Sequence, residues 1–203
     1  VINSATNLTD YYVQSDEISY NNLSYLDDGY YYWNVTCFDI VGLNGSSNTS
    51  YFLVDLNPPN ITLLEPEDNY SSSSYDIELK YLPDDGSEII NCSLYLDSEL
   101  NQTNNSINNS GNNSFFLTGL NPGFYNWSIS CYDLFGREGN SSVYNFIIDD
   151  QDPNVTLLTP NNAFFFQDAT LNYTVTDNYD YNLTCNITVD EEVVDVNISS
   201  INN

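Results

Sequence analysis

Apolar and polar residues alternate along most of this chain. In its middle part, apolar residues occupy every second position within 77–81, 90–96 and 125–131. A period of two places successive side chains on opposite faces of a β-strand. No stretch carries the apolar stripe of an amphipathic helix. The pattern therefore predicts half-buried strands and no helices.

Turn-forming residues divide the alternating segments, and they lie at 66–74, 83–86, 104–113 and 121–123. The pattern predicts seven strands, near 60–64, 75–82, 89–96, 99–103, 114–118, 124–132 and 143–149. Seven short strands in about 94 residues are typical of a two-sheet β-sandwich. The predicted fold class is therefore all-β.

The sequence repeats itself at an offset of 94 residues. Residues 26–39 (LDDGYYYWNVTCFD) align with residues 120–133 (LNPGFYNWSISCYD), and residues 60–66 (NITLLEP) align with residues 154–160 (NVTLLTP). The offset also superimposes rare residues, Trp33 on Trp127 and Cys37 on Cys131. Rare residues that recur in register indicate a tandem structural repeat.

The repeat predicts three parts of the chain. Residues 58–151 form one complete repeat, residues 1–57 are the C-terminal part of a preceding repeat, and residues 152–203 are the N-terminal part of the next. A half-repeat buries too little apolar surface to fold alone. We expect either a longer tandem array or broken ends that complete each other between molecules. Both alternatives predict an elongated assembly.

Composition narrows the classes of function. The chain has 29 acidic and 2 basic residues, a net charge of −27, and 41% hydrophobic residues, which are enough for a packed core. Lys80 and Arg137 are its only cationic side chains. This excludes nucleic-acid binding, and anionic membranes would repel the chain. No apolar run reaches the roughly 18 residues of a membrane span, so no direct membrane insertion is expected in this segment. With no His, the usual general base and metal ligand is missing.

Asparagine is unusually abundant and unusually placed. The chain has 32 Asn, and 19 of them begin an N-glycosylation sequon, against about six expected from the Ser and Thr content. The sequons are Asn7, Asn22, Asn34, Asn44, Asn48, Asn60, Asn69, Asn91, Asn101, Asn104, Asn108, Asn112, Asn126, Asn140, Asn154, Asn172, Asn182, Asn186 and Asn197. The alternative is that Asn, Ser and Thr simply crowd turns. We expect covalent N-glycans and an extracellular or cell-surface location.

The alternation predicts which side of a strand each sequon faces. If Trp127 faces the core, then Asn126, Ser128 and Ser130 face water. Two further sequons face outward by the same rule: Asn91 beside Cys92, and Asn34 beside Trp33. A buried sequon asparagine would contradict glycosylation.

The segment 120–125 (LNPGFY) resembles the turn and tyrosine corner that precede the sixth strand of fibronectin type III and other immunoglobulin-like modules. The fuller pattern is Gly-Tyr-x-Trp-x-Val/Ile-x-Cys-x-Asp, then a strand, then Pro-Asn-Ile/Val-Thr-Leu-Leu-x-Pro. It is similar to tandem immunoglobulin-like repeats of archaeal or bacterial cell-surface glycoproteins. The resemblance spans essentially the whole chain and implies tandem immunoglobulin-like β-sandwiches without catalytic residues.

The resemblance makes the strands that carry Cys92 and Cys131 neighbours in the sandwich. These are the only cysteines of the complete repeat, and we expect a disulfide that closes a loop of about 40 residues. Two free buried thiols are the alternative, whereas a zinc site lacks four gathered ligands. Cys37 and Cys185 then have partners outside this fragment or in a neighbouring molecule.

Other candidate chemistry is sparse. Asp149, Asp150 and Asp152 lie at the junction after the complete repeat and could bind Ca²⁺, with a solvated acidic linker as the alternative. The preceding junction keeps only Asp55. No carboxylate pair is marked for glycosidase chemistry, and Lys80 is the only conceivable base for a serine nucleophile. We therefore expect no enzyme activity and no cofactor apart from the covalent glycans.

The leading hypothesis is a structural, N-glycosylated extracellular protein of tandem immunoglobulin-like repeats. Self-association would produce a filament, stalk or surface layer, with head-to-tail completion of split repeats as one route. One alternative is a cell-surface adhesin or carbohydrate-binding module that uses exposed tyrosines and loops. Another is an accessory domain of a larger secreted enzyme.

Overall fold

The computed structural model describes residues 13–159, 161, 163–164, 168–180 and 182–201, with side chains up to residue 192. Every regular element in these residues is a β-strand, as the alternation predicted. Among the same residues, no helix has the length and apolarity that crossing a membrane requires.

Seventeen strands follow one another along the described residues. They are β1 (Gly29–Trp33), β2 (Thr36–Phe38), β3 (Asn44–Ser46), β4 (Ser50–Val54), β5 (Asn60–Glu65), β6 (Tyr70–Ser72), β7 (Ile77–Asp84), β8 (Ile89–Leu96), β9 (Glu99–Asn104), β10 (Asn113–Leu117), β11 (Gly123–Asp133), β12 (Glu138–Asn140), β13 (Tyr144–Ile148), β14 (Asn154–Leu157), β15 (Tyr173–Thr176), β16 (Asn182–Val189) and β17 (Glu192–Ile201). Each of the seven strands predicted between residues 60 and 149 corresponds to one of them. The prediction missed β6 and β12, which have three residues each and therefore too little sequence to show alternation.

The strands between residues 60 and 148 form two sheets. One has the order β10-β7-β5, and the other has the order β6-β13-β11-β8-β9 with β12 paired to β11. The pairs β5–β7, β8–β9, β8–β11 and β11–β12 are antiparallel, and β6 pairs with β13 in parallel at one edge. Two sheets of this kind are typical of the immunoglobulin-like and fibronectin type III-like β-sandwich. The predicted fold class is confirmed. The remaining strands form four two-stranded sheets, β1-β4, β2-β3, β14-β15 and β16-β17.

Contacts divide the chain into two compact units. The first comprises Val1–Asn69, Glu78–Leu117 and Tyr125–Asn145, and the second comprises Tyr70–Ile77, Thr118–Phe124 and Phe146–Asn203. In the first unit, the apolar side chains that are at most 1% exposed include Leu79, Tyr81, Cys92, Leu94, Trp127, Ile129 and Cys131. In the second unit, Phe146 and Ile148 are fully buried.

The sequence repeat reappears in the backbone. Residues with positive φ recur at offsets of 93 or 94: Asp16 with Ser110, Tyr25 with Gly119, Gly42 with Gly136, Asp97 with Asp190, and Ser98 with Glu191. Left-handed backbone is uncommon outside glycine, so its recurrence is informative. Tyr25 has φ 59° where Gly119 has φ 66°. Equivalent turns thus keep one backbone shape even when the side chain changes.

Strand pairing recurs in the same way. Cys131 lies opposite Gly139, and Cys37 lies opposite Gly45. Leu94 lies opposite Gln102, and the equivalent Ile187 lies opposite Asp195, whereas Cys185 lies opposite Ile198, one residue beyond the equivalent of Asn104. The β2–β3 pair therefore has the register of β11–β12, and β16–β17 has the register of β8–β9 apart from a one-residue shift at Cys185.

Two of the expected orientations were wrong. Ser130 was expected to face water but is 2% exposed, because its hydroxyl donates to the Glu138 carboxylate at 2.7 Å where β12 pairs with β11. Trp33 was expected to face a core but is 53% exposed. Among the described residues, β1 pairs only with β4, so this two-stranded sheet leaves Trp33 uncovered.

Candidate functional site

The sequon asparagines whose side chains the structure describes are exposed or half-buried. Asn7 lies outside the described residues, and the side chain of Asn197 is likewise not described. Among the other 17 sequons, Asn91, Asn104 and Asn126 are half-buried. The remaining 14 are exposed: Asn22, Asn34, Asn44, Asn48, Asn60, Asn69, Asn101, Asn108, Asn112, Asn140, Asn154, Asn172, Asn182 and Asn186. No described sequon is buried, which is the condition that glycosylation requires.

Strand alternation produces this exposure. Asn60 is exposed beside Ile61, which is 7% exposed, and Asn182 is exposed beside Leu183, which is 9% exposed. Neighbouring strand residues point to opposite faces, so a sugar on either asparagine would extend away from the apolar side.

Asn126 is a strand sequon whose backbone and side chain both form hydrogen bonds with the same aspartate. It lies beside the fully buried Trp127, and its backbone N–H donates to an Asp97 carboxylate oxygen at 3.0 Å. Its side-chain amide donates to the same oxygen at 3.2 Å. A glycan at Asn126 would have to accommodate this contact.

A disulfide links the centre of the sandwich. Cys92 of β8 lies directly opposite Cys131 of β11, with 4.1 Å between their Cα atoms, and the two sulfur atoms are bonded. Both residues are fully buried. The structure therefore brings together the pair that the sequence predicted, on neighbouring strands of one sheet.

Cys37 and Cys185 are free thiols in the described part of the chain. Cys37 is exposed on β2, and Cys185 is half-buried on β16. Their expected partners, in other halves of the repeats or in a neighbouring molecule, stay a prediction.

The first junction contains a carboxylate cluster with a cation built into it. Carboxylate oxygens of Asp55, Asp85 and Asp133 lie within 4.8 Å of one another. The guanidinium of Arg137 enters this cluster, with Nε donating to Asp133 Oδ2 at 2.7 Å and Nη1 donating to the Asp55 carbonyl oxygen at 2.6 Å. Its Nη2 lies 3.1 Å from Asp55 Oδ2. Arg137 therefore supplies the positive charge that a metal ion would otherwise supply.

Burial makes this ion pair structurally important. The Asp133 and Asp55 side chains are 0% and 4% exposed, and that of Arg137 is 25% exposed. Burial alone raises the pKa of Asp55, but hydrogen bonding with Ser87 and Asn57 and the charge of Arg137 outweigh it. The pKa of Asp55 therefore lies below its usual 3.8. Asp55 is thus a carboxylate at neutral pH.

Sequence reasoning missed this cluster, although one signal was present. The loop at Asp133 repeats the loop at Asp39: in each, the aspartate accepts backbone N–H bonds from residues two and four positions later. The fourth position is Leu43 in the first loop and Arg137 in the second. A lone arginine that replaces leucine in a repeated loop could have indicated an internal ion pair.

The second junction differs from the expectation for Ca²⁺. Asp149 lies with Asp177 and Asp180, whose carboxylate oxygens are within 4.8 Å of one another. Asp150 and Asp152 do not belong to this group. Asp150 instead accepts a hydrogen bond from the Tyr75 hydroxyl at 2.6 Å.

One oxygen of the second cluster is already engaged by the backbone. Asp177 Oδ1 accepts N–H bonds from Asp180 at 2.9 Å and from Tyr179 at 3.0 Å, and these bonds hold the pKa of Asp177 below its usual range. Carboxylate oxygens are suitable Ca²⁺ ligands, but exposed acidic groups are common without an ion. Ca²⁺ at this junction stays a prediction, with Asp149 as the member shared with the sequence-based set.

Comparison with known proteins adds little. No family model matches the chain, and no curated protein matches it. Among solved structures, the chain is similar to the fibronectin(III)-like modules of Clostridium thermocellum CbhA, with 17% identity over 68% of this chain and 73% of that chain and a TM-score of 0.42. At that similarity nothing is transferred from those modules.

Proposed function

We propose that this chain is part of a structural, N-glycosylated protein of the cell exterior, built from tandem immunoglobulin-like repeats. Its role is mechanical and protective, in a filament, stalk or surface layer. The placement of the sequons carries the proposal, because all 17 with described side chains are exposed or half-buried. The proposal assigns no catalytic role.

Strand sequons support glycosylation more strongly than loop sequons. Asparagine is ordinarily depleted in strands and enriched in turns. Here Asn101 and Asn186 lie inside strands and are exposed, while the exposed Asn60, Asn140, Asn154 and Asn182 lie at strand ends. Their outward placement is what a glycan acceptor needs, and turn preference does not account for the two inside strands.

Charge and disulfide chemistry support an exterior location. A disulfide persists in oxidising compartments, and Cys92–Cys131 is fully buried in the core of the sandwich. A net charge of −27 keeps such modules soluble and opposes their lateral collapse. We also propose that the chain is related to the repeats of archaeal or bacterial surface glycoproteins, on the basis of the sequence resemblance.

The domain organisation belongs to the same proposal. Residues 58–151 form a complete repeat between the C-terminal part of one repeat, 1–57, and the N-terminal part of another, 152–203. The recurrence of positive-φ residues at offsets of 93 and 94 supports this division.

Glycopeptide mapping of the native protein tests the glycan claim. We expect modification at several exposed sequons and lower occupancy at the half-buried Asn91, Asn104 and Asn126, where access to the amide is restricted. Unmodified asparagine at every sequon would contradict the proposal.

Electron microscopy of the same native material tests the structural role. Elongated particles or a regular layer are expected, because sandwiches joined in series extend along one direction. Compact isolated particles would contradict a filament, stalk or layer.

A further inference from the structure

One tyrosine on the outer face of the sandwich lies directly opposite a sequon. Cys131 of β11 pairs with Cys92 of β8 on the inner face, and the next pair along the same two strands is Tyr132 with Asn91. Alternation turns this pair to the outer face, where the side chains of cross-strand partners begin about 5 Å apart. Asn91 begins a sequon that ends at Ser93, so a glycan there would start beside the tyrosine ring.

The Tyr132 ring is accessible and also held in place. The residue is 38% exposed. A hydrogen bond between its hydroxyl and the Glu138 carboxylate, together with partial burial and nearby negative charge, raises the pKa of Tyr132 above its usual 10.0. Glu138 lies directly opposite on β12 and also accepts a hydrogen bond from the Ser130 hydroxyl at 2.7 Å. Because the ring has already lost rotamer freedom, a group that stacks on it loses less entropy in doing so.

The Asn91 side chain is not committed to another contact. It is half-buried, and within the described part of the chain no hydrogen bond engages its amide. The amide of Asn126, on the same outer face, donates instead to Asp97 at 3.2 Å. A sugar on Asn91 would therefore displace no side-chain hydrogen bond in the described residues.

The sequence repeat places a second aromatic ring opposite a second sequon. Phe38 is equivalent to Tyr132 at the offset of 94, and it lies directly opposite Asn44 of β3. Asn44 itself occupies the position equivalent to Glu138. The strand that carries the sequon thus changes between the two copies, whereas the aromatic ring is retained. A ring on the outer face adds nothing to the core of its own sandwich, so core packing does not account for its recurrence.

We propose that the first pyranose of an N-glycan on Asn91 stacks on the ring of Tyr132. A pyranose has a face made of C–H groups, and the tyrosine offers an apolar ring whose polar tip is already bound to Glu138. Covering about 40 Å² of apolar surface would raise the equilibrium constant for folding about fivefold. The inference rests on the proposed function, since it assigns a contact to one of the glycans that the function requires.

The first experiment detects the contact directly in the full chain. The chain is secreted from a eukaryotic host, and its glycans are trimmed to the single N-acetylglucosamine attached to each asparagine. In nuclear magnetic resonance spectra, the ring current of Tyr132 should shift C–H protons of the Asn91 sugar upfield. The shift should vanish in Tyr132→Thr, which keeps a residue suited to a strand. Identical sugar resonances in the two proteins would overturn the proposal.

Unfolding equilibria measure what the contact contributes. With Tyr132 present, Asn91→Gln should lower the folding equilibrium constant of the trimmed glycoprotein about fivefold more than it does in the Tyr132→Thr background. Asn140→Gln is the matched control, because Asn140 lies opposite Ser130 of the same strand and its sugar has no opposing ring to cover. Its effect should be the same in both backgrounds. Equal dependence of the two sequons on residue 132 would overturn the pairing.

Unglycosylated chains separate the sugar from the bare asparagine. In the same variants made in a host without N-glycosylation, the effect of Asn91→Gln should not depend on residue 132, since no sugar is present. A dependence as large as in the glycoprotein would mean that the asparagine side chain itself supplies the contact, and sugar stacking would be wrong.

Failure of this contact and failure of the proposed function give different results. If mapping of the native protein finds other sequons modified and Asn91 bare, the stacking proposal is wrong and the proposed function stands. The same conclusion follows if Asn91 is modified without any shift or coupling. Bare asparagine at every sequon contradicts the proposed function itself.

Discussion

Equivalent residues of the sequence repeat have very different environments in residues 58–151 and in the residues before them. Trp127 is fully buried, whereas Trp33 is 53% exposed, and Cys131 is buried in a disulfide whereas Cys37 is an exposed thiol. The surrounding sequences are similar, and β2–β3 has the same register as β11–β12. The comparison teaches that the burial of these side chains depends on whether other strands cover them and not on the sequence of their own strand.

Local shape, in contrast, is the same in both regions. The Tyr31 hydroxyl donates to the Asp27 carbonyl oxygen at 3.0 Å, which resembles the tyrosine-corner contact of immunoglobulin-like modules, and it forms although Trp33 nearby is exposed. The loops at Asp39 and Asp133 close with the same backbone bonds. Turns and corners therefore need only nearby residues.

Replacing the tryptophan of each region is expected to give the largest difference between the two regions in the free energy of unfolding. Trp127→Ala should lower the free energy of unfolding by about 3–5 kcal/mol because it leaves a large core cavity. Trp33→Ala should lower it by less than about 1 kcal/mol in the reduced chain. Denaturant unfolding measures both. Equal losses would show that the two tryptophans are buried alike.

Removing the Cys92–Cys131 disulfide should have the second-largest effect on the free energy of unfolding. Replacing Cys92 and Cys131 together with Ser should cost about 3–4 kcal/mol in the chain-entropy description of a loop this long. Replacing Cys37 and Cys185 together should leave the unfolding midpoint of the reduced chain nearly unchanged. A large effect of the second pair in monomeric protein would mean that those thiols already have a structural role within one molecule.

The ion pair at the first junction is expected to have a smaller effect. Arg137→Leu installs the residue of the equivalent loop and leaves Asp55 and Asp133 without their cation. It should cost about 2–3 kcal/mol, since partial exposure of Arg137 reduces the penalty. Leu43→Arg is the reciprocal control and should change the unfolding free energy little. If Arg137→Leu leaves the free energy of unfolding unchanged, the remaining hydrogen bonds are sufficient to stabilise both carboxylates without the arginine.

A glycine pair tests packing at the same junction. A Cβ added to Gly139 would lie 1.8 Å from the Pro59 carbonyl oxygen, whereas one added to Gly45 would meet nothing within 4 Å. Gly139→Ala should therefore cost about 1–3 kcal/mol by overpacking, and Gly45→Ala should be close to neutral. Thermal unfolding of the two variants compares them, and equal midpoints would mean that β12 does not pack against Pro59.

The smallest effect is expected at Tyr81. Its hydroxyl is buried without a hydrogen-bond partner among the described residues, and burial raises its pKa to about 12. Tyr81→Phe removes an unsatisfied polar group and keeps the ring that stacks on Phe115 at 5.6 Å. We expect a change within about 1 kcal/mol, neutral or stabilising. A loss of more than 2 kcal/mol would reveal a partner for the hydroxyl.

Sequence patterns predicted the fold better than the sites. Alternation located seven of the nine strands between residues 60 and 148, because a half-buried strand of five or more residues shows its period directly. The cysteine pair followed from the resemblance. The Arg137 cluster could not be predicted from the sequence, because Asp55, Asp85 and Asp133 are far apart along the chain and meet only after folding.

The sequence by itself determined the strands, the turn shapes, the repeat length and the outward side of the strand sequons, since each depends on neighbours within a few residues. Tertiary structure decided which apolar strand faces are covered by a second sheet. It also decided that Ser130 is buried and which aspartates lie together at each junction. These outcomes depend on contacts between distant segments, and the same strand sequence is compatible with either a covered or an open face.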